Sequence, residues 1–241
     1  MDLKELESGV NPDQHWYYQT KKVCLLDFFK RTIVKHRQKV TLIDIGAGSG
    51  FFSLEIYKTY GDYVDSILLV DLYYSEQEVA DSRGLLVQKL TTIPDDVSNA
   101  FIIMMDVIEH VEDDYTFFSS LLSKVSSRSF FYITVPAFQS LWSGHDVFLG
   151  HYRRYTLPQL RLLLRQDKIH TLNTFYQYAL IFPLVWVLRK LPRKSAKPKN
   201  DMKPTSPIIN LVLEMLLSLE MRLAKYNNWF GLTCTAEGYI E

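Results

Sequence analysis

Acids and glycines in the first third of this chain are spaced to close on one ligand. Thr41-Leu42-Ile43-Asp44-Ile45 is a β-branched, aliphatic run that breaks into Gly46-Ala47-Gly48-Ser49-Gly50 and continues into 51–60, which reads as a helix. A strand that runs into glycines and then a helix turns backbone N–H groups, and the positive end of the helix dipole, toward whatever binds there. The glycines let the backbone come close where a Cβ would collide. One strand–helix–strand unit later, the buried-strand run 66–70 ends in Asp71-Leu72. An acid at the tip of the second strand of a nucleotide-binding sheet accepts hydrogen bonds from ribose hydroxyls. A pyrophosphate site of the G-x-G-x-x-G kind is not met, because its third small residue falls on Phe51.

Further along lie the side chains suited to proton transfer and anion binding. The apolar run 101–105 is followed by Asp106-Val107-Ile108-Glu109-His110-Val111-Glu112-Asp113-Asp114, whose last acids also suit the first turn of a helix. The long loop after Pro136 carries Trp142, His145, Asp146, His151, Arg153 and Arg154 among many aromatics, a composition that argues against disorder. A histidine is the side chain best matched to general-base work near neutral pH. The adjacent arginines suit either bidentate contacts to an anion or ion pairs that pin the loop. His145, Asp146 and His151 also suggest a metal site, but no further ligand stands at a recognisable spacing, so no metal is expected.

The pattern Asp44-x-Gly46-x-Gly48-x-Gly50 resembles motif I of the class I S-adenosylmethionine-dependent methyltransferases. The 106–114 segment resembles the D-V-L-E-H-V-x-D stretch found after the fourth strand in many small-molecule members. The run from Val135 to Thr156 resembles the loop of a methyltransferase-11/12-like subset, with H-D-x-x-x-G-H-x-R-R-Y-T at 145–156. That subset is often linked with cell-surface saccharide or lipid-linked pathways. The resemblance covers roughly 13–164, with 233–240 as a weaker ending.

It implies S-adenosylmethionine as cofactor and S-adenosylhomocysteine as product. Asp44 would suit the cationic amino acid end, Gly46, Ala47, Gly48 and Ser49 would line the turn, and Asp71 would hold the ribose. Leu72 would lie against the adenine, near an edge read around 88–90, and Asp106 and Val107 would flank the cofactor. His110 faces the acceptor side, so His110 or His145 is the expected base, with Asp146 orienting a histidine. Trp16, Tyr17, Trp142, His151, Arg153 and Arg154 are expected on a small or lipid- or saccharide-linked acceptor, methylated on oxygen by in-line transfer. A scaffold that binds the cofactor without turnover is the first alternative. A nicotinamide oxidoreductase is the second, disfavoured by Phe51 and by 106–114.

The elements that must position these residues follow from periodicity and punctuation. Residues 11–36 read as a helix, with Asn11 or Asp13 as cap and Val23, Leu26, Phe29 and Ile33 as its core stripe. Its aromatic start, His15-Trp16-Tyr17-Tyr18, is either a packed surface turn or a lid over the site. A third strand is expected at 85–87, a fifth at 129–135, a sixth at 169–178 and the last at 233–240. Thr156-x-x-Gln159 with an early proline opens a helix. The family resemblance implies a doubly wound α/β sheet of seven strands, order 3-2-1-4-5-7-6, with an apolar helical segment inserted before the last strand. The chain divides into an N-terminal lid (1–37), a cofactor-binding core (38–178), a helical insertion with a basic linker (179–230) and a terminal strand (231–241).

Within that insertion, 180–188 is apolar and short, and 208–225 is a helix with only a thin polar stripe. It packs on itself or across a homodimer, or it lies on an anionic membrane surface beside the linker's lysines and arginines. Lys+Arg 27 and Asp+Glu 27 cancel, which removes the basic field a nucleic-acid partner would call for. Two distant cysteines suit a reducing compartment, and no run is long enough to span a bilayer. The expected location is the cytoplasm, in part at the inner face of the membrane.

Overall fold

The computed structural model describes residues 9–190 and 203–241. The charged start at 1–7 and most of the basic linker, Arg193, Lys194, Lys197 and Lys199 included, lie outside the described residues. The first helix, α1 (Trp16–Phe29), is extended by a π-helical turn over Lys30–Val34. It starts later than the periodicity suggests. Asn11 makes a turn instead, its carbonyl accepting from the Gln14 and His15 amides, and the His15 ring caps the helix by accepting from the Tyr17 amide at 3.3 Å.

The first half of the sheet alternates strictly with helices: β1 (Val40–Ile45), α2 (Phe51–Tyr60), β2 (Val64–Val70), α3 (Glu76–Asp81) and β3 (Val87–Leu90). The expected strand at 85–87 is thus displaced. Leu85 and Leu86 sit in an exposed turn, and the Ser82 hydroxyl accepts from the Lys89 amide at 2.8 Å, which delays the strand's entry. A short pair, β4 (Val97–Ser98) with β6 (Val125–Ser127), flanks β5 (Ala100–Met105) and α4 (Asp114–Lys124). Then come β7 (Ser129–Pro136), α5 (Gly144–Leu149), α6 (Leu157–Leu163), β8 (Ile169–Gln177), α7 (Phe182–Lys190), α8 (Pro207–Leu223) and β9 (Thr233–Ile240).

The large sheet runs β3-β2-β1-β5-β7-β9-β8. With the small β4–β6 pair set aside, this is the expected 3-2-1-4-5-7-6, and β9 lies antiparallel to both neighbours. Alternation along β5 shows how both faces are covered. Ile102 and Met104 pack toward Phe118 of α4 and Leu160 of α6, whereas Phe101, Ile103 and Met105 pack toward Phe28 of α1, Ile56 of α2 and Leu217 of α8. Buried on both sides, β1 and β5 are fixed in register, and that register sets where their carboxyl ends stop.

Helix α8 is joined to the start of α1 as well as to the core. Asn210 accepts from the Trp16 amide at 2.8 Å and donates to the Gln14 carbonyl at 2.7 Å. The amides of Ala179 and Leu180, just before α7, donate to the Glu220 carboxylate at 2.5 and 3.3 Å. The inserted segment therefore holds both the N-terminal helix and the exit from β8.

Candidate active site

Strand β1 has β2 on one side and β5 on the other, so the order reverses across it. The crevice outside the carboxyl ends at such a reversal is where open α/β sheets bind ligands. Here the 46–50 turn lines it. Gly46 (φ +68°) has no room for a side chain, since a Cβ would come within 2.6 Å of a Val107 methyl. Both the Gly46 and Ala47 amides donate to the Val70 carbonyl, at 2.7 and 3.2 Å, which ties the turn to the end of β2. Asp71 is held by the same turn, accepting from the Gly48 amide at 2.9 Å and the Tyr73 amide at 3.0 Å. Asp44 is buried and accepts from the Ser53 hydroxyl at 2.5 Å. Ala47 and Gly48 are buried and Ser49 half-buried, whereas Leu72 stands at the rim, 83% exposed.

Past the end of β5, Asp106 adopts a left-handed backbone (φ 56°) and is buried. Its carboxylate pairs with the more deeply buried Lys21 and accepts from Tyr17 at 3.2 Å and Thr134 at 3.0 Å. Burial opposes its charge, but Lys21 and these hydroxyls hold its pKa below the ordinary value. Lys21 has no counterpart among the residues expected from sequence. A lysine on an aromatic-rich helix reads as solvated, and only the fold brings it to Asp106. Tyr17 and Trp16 both pack on Tyr178, with ring centres 5.7 and 6.3 Å apart. Tyr178 and Phe138 are bulky residues at φ 64° and 56°. Such backbone costs on the order of 1–3 kcal/mol each and is typical of functional sites.

From Asp106 and Tyr17 a cavity of about 160 Å³ extends beneath α5 and α7. Ile181, Val185 and Arg189, at four-residue intervals, present one face of the α7 segment to it, and Glu109, His145, His151 and Arg154 bring the polar groups. A capping box organises α5: Asp146 accepts from the Ser143 amide at 2.8 Å, and the same carboxylate accepts from Arg154 at 2.6 and 3.1 Å. Burial opposes the charge on Asp146, but His151 and Arg154 drive its pKa far below the usual carboxylate range. The histidine that Asp146 contacts is His151, with Nδ1 at 3.0 Å, rather than its neighbour in sequence, His145.

Glu109 is 0% exposed and faces His151 Nε2 at 4.0 Å, and burial, reinforced by the charge of Asp106, raises its pKa well above normal. His110 packs edge-on against the His151 ring, 4.6 Å between centres. Arg153 turns away to pair with Asp114 at 2.8 Å and with the Glu112 carbonyl, so of the two sequence readings it follows the loop-pinning one. Trp142 is half-buried outside the cavity lining.

No family model matches the sequence, and no curated protein matches it. Solved structures do. A chain of the complex between the Haloferax volcanii Trm112 methyltransferase activator and a candidate methyltransferase aligns with TM-score 0.58 at 17% identity, over 99% of this chain and 95% of that one. The plantazolicin methyltransferase BamL, complexed with a triazolic desmethylPZN analog and SAH, gives 0.53 at 12%, over 100% and 89%. A SAM-dependent methyltransferase from Archaeoglobus fulgidus gives 0.50 at 15%, over 98% of each chain. The chain is similar to these in fold: a Rossmann-like, seven-stranded sheet of the class I methyltransferase kind.

Proposed function

We propose that this chain is a methyltransferase that moves the methyl group of S-adenosylmethionine to an oxygen of a small or lipid- or saccharide-linked acceptor. The observation that carries the proposal is the placement of Asp44, Asp71 and Asp106 at the ends of three adjacent strands around the 46–50 turn, with a cavity opening beside Asp106. Asp44 suits the cationic amino group and Asp71 the ribose hydroxyls, and Gly46 lets the backbone close on the cofactor. The sulfonium methyl is already electrophilic, so the protein's task is alignment and exclusion of water. An acceptor hydroxyl in the cavity attacks the methyl carbon as the carbon–sulfur bond breaks. The electron pair goes to sulfur, and the acceptor proton passes to His145, which lines the cavity.

The apolar insertion supports a lipid-linked acceptor. Leu184 of α7, Ile208, Leu211, Met215 and Leu219 of α8, and Trp229 beyond it are all exposed, with Lys190, Arg222 and Lys225 on the same elements or next to them. An apolar face with aromatic and basic residues at its margin suits the surface of an anionic bilayer. No described helix is long and apolar enough to cross one. The test is a screen with radiolabelled methyl donor against lipid and saccharide extracts, in parallel with flotation on anionic vesicles. Label in a lipid fraction together with flotation supports the reading. Cofactor binding with no labelled product from any fraction would favour a non-catalytic scaffold. A dimeric protein indifferent to vesicles would assign the apolar face to a second copy.

A further inference from the structure

We propose that Glu109, His110 and His151 form a binding site for a divalent transition-metal ion in the wall of the acceptor cavity. One donor atom from each of the three lies within 4.8 Å of the other two. Both carboxylate oxygens of Glu109, and Nε2 of His151, are buried without a hydrogen-bond partner. A buried polar atom left unpaired costs on the order of 1–3 kcal/mol, and folded proteins seldom leave several converging on one point. The 4.0 Å between Glu109 Oε1 and His151 Nε2 is too long for a hydrogen bond. It exceeds by about half an ångström the roughly 3.3–3.6 Å between two tetrahedral ligands that each stand about 2.0–2.2 Å from a shared ion, a gap that a small side-chain rotation closes.

The surroundings are those of a ligand shell. Asp146 engages Nδ1 of His151, which leaves Nε2 directed at Glu109, and Asp146 is itself clamped by Arg154 and the Ser143 amide. A carboxylate behind a histidine in this way fixes the ring and strengthens it as a ligand. Two imidazoles and one carboxylate suit zinc, manganese or cobalt better than magnesium or calcium, which prefer oxygen alone. Three protein ligands leave a position open toward the cavity. An acceptor hydroxyl bound there becomes more acidic, and its proton still leaves to His145, so no redox partner is involved. Sequence spacing gave no hint of the set, because Glu109 and His110 follow β5 whereas His151 follows α5. The ion's use rests on the methyl-transfer reading; the site itself does not.

Chelator-treated protein should be titrated calorimetrically with zinc and with manganese, and the manganese form read by electron paramagnetic resonance. S-adenosylhomocysteine binding is measured on the same samples. One ion per chain is expected, with affinity reduced about tenfold or more in Glu109→Gln and in His151→Gln. S-adenosylhomocysteine should bind these variants as it binds the wild type, which separates failure of the metal site from failure of the cofactor reading. His110→Asn, at a half-buried position, serves if the other two do not fold. Wild type that binds the nucleoside but neither metal overturns the proposal and leaves a water-bridged Glu109–His151 pair. Equal metal affinity in every variant overturns it as well.

Discussion

The crevice above β1 and β2 and the cavity beneath α5 and α7 meet at Asp106, yet they are built differently. In the crevice the backbone sets the shape: the Gly46, Ala47 and Gly48 amides are tied to Val70 and Asp71, and Asp44 and Asp71 are the acids held beside the turn. In the cavity the polar groups are side chains from α5, α7 and the loops around them, and several neutralise one another, as Asp146 and Arg154 do. A crevice shaped by backbone needs a contiguous stretch of chain and a few glycines. Side-chain recognition needs residues gathered from several elements.

The seam between the two regions should be the most sensitive place. Replacing Lys21 by Met leaves the Asp106 carboxylate buried and unpaired, which should cost about 3–5 kcal/mol in urea unfolding. The double variant Lys21→Met/Asp106→Asn, which removes the buried charge with a residue that tolerates the left-handed backbone, should recover most of that loss. A single variant within about 0.5 kcal/mol of wild type would mean that the pair does not join the two halves.

On the crevice side, Gly46→Ala forces a side chain against Val107 at a left-handed position. It should cost on the order of 1–2 kcal/mol in stability. It should also weaken S-adenosylhomocysteine binding about tenfold, or roughly 1.4 kcal/mol, by calorimetry. Unchanged affinity would put the ligand elsewhere. The smallest effect on folding belongs to the outer face of the insertion. Leu219→Glu, at an exposed position of α8, should stay within about 0.5 kcal/mol of wild type and keep cofactor affinity, yet lose flotation on anionic vesicles. Retained flotation would separate the apolar face from membrane contact.

The same contrast explains what could be read from sequence. The strand–glycine–helix joint at 41–60 and the apolar strand ahead of Asp106 are continuous in the chain, so periodicity and punctuation locate them, and the resemblance supplies the strand order. His145 and Asp146 are adjacent in sequence, but α5 is a helix, and its capping box turns Asp146 toward His151 and Arg154. Lys21 and Asp106 lie 85 residues apart, and neither one's neighbours announce the pairing. Leu85 and Leu86 look like strand but are exposed, because the Ser82 hydroxyl and the turn around Gly84 postpone β3 to Val87. Local patterning reports local structure; contacts made by the fold leave little local trace.

The central claim is that Asp71 and the glycine turn grip a sulfonium nucleoside. The direct measurement is calorimetric titration of wild type and Asp71→Ala with S-adenosylhomocysteine. The account predicts one molecule bound per wild-type chain and affinity lower by about tenfold to a hundredfold in the variant, the loss of hydrogen bonds to a charged acceptor. No binding to folded wild type, or equal binding to both proteins, would contradict it.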